Sequence, residues 1–433
     1  MTHALALFGG PKAIAKPLPH EVWPPAASTV ELKELADQRM TDISIKGRTG
    51  IIKDFEEMFL AFLENRVRYA ITFNSGTSAL LGAYFAMGID EGDEIIGPAL
   101  TFHAALSPAF LLKANIALAD VRIDTRCIDA SEIQKLITER TRLITVVHQW
   151  GHPAEMDLIL DIARKHNLLV LEDCSHAHGS RFKGRPCGTF GDAAVFSLQA
   201  AKMIYAGEGG ILVTNSQRTM HRATLLGHYR DRSREEVEDP ALQKYWVTGF
   251  GQKLRMSPLN AVVAKHALLN FPTRKLERHK CLQYFGDRLR KHVPYLDVPQ
   301  IVGDVDMGAW YGFKPLYAPE RLKGIGLSDL ITALQAEGME VARASAPVLS
   351  RQPLYAAVPD EMFPLRRNKI VSTNPTPIAD RIEQNSLSLP TFSDWEADGD
   401  VMDTYVEGFV KVYENRDALA QRSRDLMKSS HRI

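Results

Sequence analysis

Residues 196–210 read Phe-Ser-Leu-Gln-Ala-Ala-Lys-Met-Ile-Tyr-Ala-Gly-Glu-Gly-Gly, and Lys202 is the group in them best suited to chemistry. It follows an apolar run, Ala193-Ala194-Val195-Phe196, of the kind that forms a buried strand. Apolar surroundings disfavour an ammonium ion, so a lysine held there keeps a share of neutral amine and can form a Schiff base with a carbonyl. Gly207, Gly209 and Gly210 follow, and glycine lets a backbone pass close to a ligand. The competing reading is a surface lysine whose stem lies along apolar groups.

Three further stretches bear on the choice. Asn74-Ser75-Gly76-Thr77-Ser78-Ala79-Leu80 sets Gly76 and two hydroxyls at the start of a helix, directly after an apolar strand. Free N–H groups and the positive end of the helix dipole suit a phosphate there, although Ser75 or Thr77 could equally be a simple cap. Asp173 closes the apolar run Leu168-Leu169-Val170-Leu171-Glu172. A carboxylate in that place can keep a nearby ring nitrogen protonated, or can merely form a turn. Phe102, in Pro98-Ala99-Leu100-Thr101-Phe102, can stack on a planar ligand or fill a core.

The elements that must position these residues alternate. Strands are expected near 69–73, 94–98, 116–119, 143–147, 168–171, 193–197 and 210–214. Helices are expected at 31–40, 51–64, 77–87, 130–138 and 156–166. Such alternation predicts right-handed crossovers and a mostly parallel sheet covered by helices, an α/β fold. Ligands in such sheets lie at the carboxyl ends of strands, where Asn74, His148, Asp173 and Ser197 fall. After about residue 260 the alternation weakens: 258–295 reads as helix, and 400–428 as one amphipathic helix. The expected division is an N-terminal arm (1–30), a large α/β domain (31–264) and a smaller α+β domain (265–433).

Taken together, these motifs resemble those of the DegT/StrS-type sugar and cyclitol aminotransferases, a family of fold-type-I enzymes that use pyridoxal 5'-phosphate (PLP). The matching stretches are Asn74–Leu80, Pro98–Phe102, Glu172-Asp173-Cys174-Ser175-His176-Ala177-His178-Gly179, and Phe196-Ser197 through Lys202 to Gly210. The resemblance runs from Gly47 to Gln335 and weakly into Arg351–Tyr355. It implies that Lys202 binds the cofactor and acts as general base, and that Asp173 holds the ring nitrogen. It places Gly76, Thr77 and Ser197 at the phosphate, Phe102 on the ring face and His176 near a cofactor oxygen. The implied reaction moves an amino group from L-glutamate or L-glutamine to a ketone on a sugar, nucleotide-linked sugar or cyclitol. Related dehydratases carry His in place of the lysine, so Lys202 argues against that branch.

One position departs from the pattern. In Gly251-Gln252-Lys253-Leu254-Arg255-Met256, Lys253 stands where the family has an Asn that reaches the phosphate of a neighbouring subunit. The resemblance therefore implies a homodimer with Lys253 as a cofactor contact in trans. The string around Asp173 and Lys202 lies nearer the cyclitol and aminobenzoate-synthase-like members. Two other readings use the same scaffold: a PLP-dependent lyase, and a PLP-binding regulator without catalysis.

Composition bounds the alternatives. The 433 residues are 45% hydrophobic and 24% charged, with a formal net charge of zero. That balance argues against a dedicated nucleic-acid binder or a polybasic membrane protein. The four cysteines, Cys127, Cys174, Cys187 and Cys281, form no C-x-x-C pair, which is poor material for a metal site. No apolar run is long enough to span a bilayer and no signal peptide is visible, so a cytoplasmic location is expected. The segment His221–Arg234 reads as a basic loop with two open roles: gripping an anionic substrate group, or a solvated charged face.

Overall fold

The structure, a computed structural model, describes residues 4–15, 23–344, 346–357 and 374–430. Helices α1 (Thr29–Thr41) and α2 (Gly50–Phe62) precede the first strand. Then β1 (Tyr69–Phe73), α3 (Gly76–Ala86), β2 (Glu94–Pro98), β3 (Asn115–Ala119), α4 (Ala130–Leu136), β4 (Thr141–Val147), α5 (Met156–His166) and β5 (Leu169–Asp173) follow. A short hairpin, β6 (Arg181–Phe182) and β7 (Arg185–Pro186), leads to β8 (Ala193–Ser197) and β9 (Gly210–Thr214).

Seven of these strands form one sheet in the order β1-β9-β8-β5-β4-β2-β3. The run from β8 to β3 pairs in parallel. β9 lies between β8 and β1 and is antiparallel to both, so six strands share one direction and β9 opposes them. The carboxyl ends of β1, β4, β5 and β8 therefore open on the same edge. The central strands are buried on both faces, which is why they read as continuous apolar runs rather than alternating ones.

The register brings that edge together closely. Gly210, the first residue of β9, pairs with both Phe73 and Ser197. A Cβ on Gly210 would lie 2.4 Å from the Ser75 carbonyl oxygen, and one on Gly76 would lie 2.8 Å from Ser197 Cβ. Glycine at both positions is what lets the start of α3 press against the end of β8.

Three short helices, α6 (Gln217–Gly227), α7 (Asp231–Glu236) and α8 (Pro240–Gln243), lead into α9 (Pro258–His292), which runs unbroken for 35 residues. Helix α9 packs on α1, α2 and the helix Trp395–Glu414. Its second half contributes Cys281, Phe285 and Leu289 to a core that also holds Leu5 and Ile14 from the arm and Phe409 from Trp395–Glu414. Glu337 fastens the arm by accepting the Ala6 and Ala13 N–H groups at 2.7 and 2.9 Å. Among the described residues, no helix is long and apolar enough to cross a membrane.

Two expectations are corrected. The segment His221–Arg234 is not a loop, because α6 and α7 occupy most of it. Arg232 is fully buried and donates to both oxygens of Glu56, at 2.8 and 3.0 Å, and to Glu236 at 2.7 Å. Arg222 donates to the Phe85 carbonyl at 2.8 Å. Arg232 thus satisfies internal acceptors, and half-buried Arg222 meets one, whereas Arg230 and Arg234 are exposed, as a solvated face would have them. The helix expected over 400–428 is two helices, Trp395–Glu414 and Arg416–Ser430. They part at Asn415, whose side chain donates to the Lys411 carbonyl at 2.9 Å and competes with the helical pattern.

Candidate active site

The β8–β9 connection carries Lys202 and is tied down from several sides. Lys202 N–H donates to the Gln199 carbonyl at 2.8 Å, and Ala201 N–H to Gln199 Oε1 at 2.7 Å. Ala200 N–H reaches the Gly207 carbonyl at 2.9 Å, and Ile204 N–H donates to His178 Nδ1 at 3.1 Å. From the arm, Trp23 Nε1 donates to the Ala200 carbonyl at 3.1 Å. With its loop fixed, the Lys202 side chain stands nearly buried, its Nζ 4.0 Å above the centre of the Tyr311 ring.

A cavity of about 750 Å³ opens over Lys202, a size suited to a small-molecule ligand. Gly76, Thr77, Phe102, Asp173, His176, Ser197 and Lys202 all line it; Lys253 does not. Lys253 is exposed on the segment between α8 and α9. At one end of the cavity Ser75 caps α3 by accepting the Ser78 N–H at 3.0 Å, so the bland reading of that serine holds. The N–H groups of Gly76 and Thr77 are still left without intrahelical acceptors, as at any helix start, and Ser197 stands against Gly76. Phe102 is 55% exposed, an unusual surplus of bare aromatic surface on a cavity wall.

Burial governs the electrostatics. It pushes the Lys202 amine down to about 8, while the charge of Asp173 pulls the other way. Asp173 is itself buried at the end of β5. Desolvation raises its carboxyl, and hydrogen bonds from Ser175, one from its N–H at 2.9 Å, together with the charges of Lys202 and His148 oppose the rise. His176 lies flat on Tyr311, with ring centres 4.1 Å apart and planes 8° apart. Burial and then the Lys202 charge hold it well below the usual histidine range, so it is neutral.

Next to the cavity, Glu172 and His148 form a buried brace. His148 Nε2 is 3.1 Å from Glu172 Oε2, and Ala154 N–H donates to His148 Nδ1 at 3.0 Å. Glu172 also accepts the N–H groups of Gly188, Phe190 and Gly191 within 2.8 Å. With Cys174 these groups have the spacing of a metal site, but the His148 and Glu172 atoms are already spent on hydrogen bonds. They hold the loop before β8 and so support the strand that leads to Lys202.

Sequence reasoning missed Tyr311, Lys314, Gln149 and Trp23, which all line the same cavity. A signal existed for Gln149, which directly follows the strand-end His148. Tyr311 and Lys314 come from the irregular Trp310–Lys314 stretch, where no period announces a partner more than a hundred residues away.

Comparison with known proteins gives the family. A family model described as the DegT/DnrJ/EryC1/StrS aminotransferase family matches residues 29–404. The L-glutamine:scyllo-inosose aminotransferase of Streptomyces griseus is 35% identical over 301 residues, covering 67% of this chain and 69% of the relative. The GDP-perosamine synthase of Escherichia coli O157:H7 is 36% identical over 231 residues, covering 53% of this chain and 61% of the relative. The crystal structure of the aminotransferase from Psychrobacter cryohalolentis superposes with a TM-score of 0.79 at 25% identity, covering 92% of this chain and all of the other. With a match that spans most of its length and a site assembled from the motif residues, the chain belongs to the DegT/DnrJ/EryC1/StrS aminotransferase family.

Proposed function

We propose that this enzyme moves an amino group from L-glutamine or L-glutamate to a ketone on a sugar, a nucleotide-linked sugar or a cyclitol, with PLP as cofactor. The observation that carries the reading is the desolvated Lys202 amine over Tyr311, in one cavity with Asp173 and the Gly76–Ser197 cup. The two named relatives support the ketone class, one by a cyclitol and one by a nucleotide-linked sugar.

The residues fit the cofactor. The cup formed by α3 and Ser197 offers N–H and hydroxyl donors to a phosphate. Asp173 is a buried carboxylate that lacks a full counter-charge, and a protonated ring nitrogen would supply one. Phe102 offers a bare face for a ring, and His176 a neutral imidazole for a ring oxygen. When bound, PLP supplies an electron sink for the charge left as a C–H bond beside the amine breaks.

In this reading Lys202 would hold the cofactor through its Nζ, and that amine, once freed, would serve as the base that moves the donor's α-proton. Asp173 would keep the ring nitrogen protonated. The reading also includes a cytoplasmic homodimer in which Lys253 reaches the partner's phosphate. What supports the dimer is that Lys253 lies outside its own cavity and that Tyr245, Val247 and Phe250 nearby are exposed. The division into an arm (1–30), a cofactor-holding domain (31–264) and a smaller domain (265–433) is part of the same reading. A second apolar cluster around Phe285, apart from the one around the sheet, supports it, although Val348, Tyr355 and Ile382 pack with the sheet and Leu5 and Ile14 with Phe285.

The test has two arms. Borohydride reduction and peptide mapping should place the pyridoxyl label on Lys202; a label on another lysine overturns the site. L-Glutamine or L-glutamate should convert the absorption band to that of the pyridoxamine form, and a panel of ketoses, cyclitol ketones and nucleotide-ketosugars should restore it. No conversion would favour a regulator, and release of ammonia or water a lyase.

A further inference from the structure

Two groups in the cavity have no part in the chemistry described above. Lys314 lies on the wall with Tyr311, and among the described residues it has no carboxylate within ion-pair reach. Its one hydrogen-bond partner among the described residues is the neutral hydroxyl of Ser388. The side chain is seated by Gly312: a Cβ there would lie 3.1 Å from Lys314 Cε and 3.4 Å from Trp150 Cδ1. Burial lowers the amine to about 8, so a substantial fraction stays cationic at neutral pH.

Gln149 adjoins Trp150 and is 2% exposed, yet among the described residues neither Oε1 nor Nε2 has a hydrogen-bond partner. Gln149 and Lys314 both line the main cavity and a small void of about 30 Å³ beside it. A buried amide with both ends empty and a desolvated cation without a counter-charge are each costly alone. Both costs fall if a ligand brings oxygen atoms and negative charge to the same wall.

We propose that Lys314 and Gln149 form a substrate-recognition subsite for an anionic oxygen group remote from the reacting carbon. The group is either a phosphate on the ketone substrate or the distal carboxylate of an amino donor. The proposal rests on the aminotransferase reading for the identity of its substrates, but not for the binding itself. It makes Lys314 the residue that separates a substrate carrying this anionic group from a neutral analogue.

The test is calorimetric titration of the PLP-loaded enzyme with inorganic pyrophosphate and, separately, with glutarate. Wild type, Lys314→Met, Lys314→Arg and Gln149→Leu are compared, and the cofactor absorption band of each variant checks that its site is intact. At least one anion should bind wild type. Its affinity should fall about tenfold or more in Lys314→Met, the scale of one charge-assisted hydrogen bond, and be largely kept in Lys314→Arg. Gln149→Leu should weaken the same anion. Loss confined to pyrophosphate assigns the subsite to a phosphate-bearing ketone; loss confined to glutarate assigns it to the donor. The proposal is overturned if neither anion binds wild type, or if Lys314→Met with an intact band binds as wild type does. Lys314-dependent binding in an enzyme that transfers no amino group would instead sink the aminotransferase reading alone.

Discussion

At Lys202 two effects oppose each other and burial wins: the amine sits near 8 although Asp173 favours the ammonium. Only the neutral amine attacks a carbonyl, and its fraction rises as pH passes through that value. Covalent uptake of PLP by the apoprotein should therefore accelerate with pH and level off just above 8, rather than near 10.5 as for an ordinary lysine. Stopped-flow absorbance across a pH series reads this. Replacing Asp173 with Asn removes the charge that favours the ammonium, so the midpoint should move to lower pH. The same variant should slow α-proton transfer by about 10²–10³-fold, the scale for one preorganised electrostatic contact. An unmoved midpoint would mean that Asp173 does not act on Lys202. A near-normal half-reaction rate would mean that another group protonates the ring.

At the scale of elements, the edge that carries the site depends on packing beneath it. Glu56 of α2 is fully buried and accepts from Arg232 of α7, from Arg48 at 2.8 Å, and from the Thr72 N–H of β1 at 2.9 Å. Removing one partner strands the other charge in a dry interior. Arg232→Ala should lower stability by about 3–5 kcal/mol in urea denaturation. Arg218→Ala, which removes an exposed pair with Asp239, should cost less than about 1 kcal/mol. Equal effects would mean that the buried cluster is not what secures α7. Gly210→Ala tests the α3–β8 junction. Its Cβ meets backbone atoms that cannot swing away, and overpacking of this kind costs about 1–3 kcal/mol. Equilibrium dialysis should show PLP retained less well by this variant than by Gly399→Ala, whose Cβ meets nothing within 4 Å.

At the scale of the whole molecule, the question is whether one chain completes its own phosphate site. A lysine ammonium beside a dianionic phosphate gives a charge-assisted contact stronger than a neutral amide gives. Lys253→Ala should weaken PLP binding. Mixing, unfolding and refolding it with Lys202→Ala should then restore activity if the contact is made in trans. One site of the heterodimer would carry both defects and the other neither. If Lys253 serves its own subunit, every heterodimer site has one defect and activity stays absent.

The sheet and most residues of the candidate site were legible in the sequence for a physical reason. Short apolar runs bounded by glycine, hydroxyl and carboxylate residues, alternating with longer helical patterns, read as buried strands. Lys202, Asp173, Ser197 and the Gly76 turn could thus be located from local pattern and motif order. Tertiary structure decided what local pattern does not encode. It reversed β9, which set Gly210 between Ser75 and Ser197 and explained that glycine by backbone contact rather than by a ligand. It buried Arg232 against Glu56, 176 residues away in sequence, where composition suggested a solvated or ligand-gripping loop. It also brought Tyr311 and Lys314 from an irregular stretch to the carboxyl edge of the sheet. Pairings over such separations are fixed by packing volume and by the need to satisfy buried charge, and neither leaves a periodic trace in the chain.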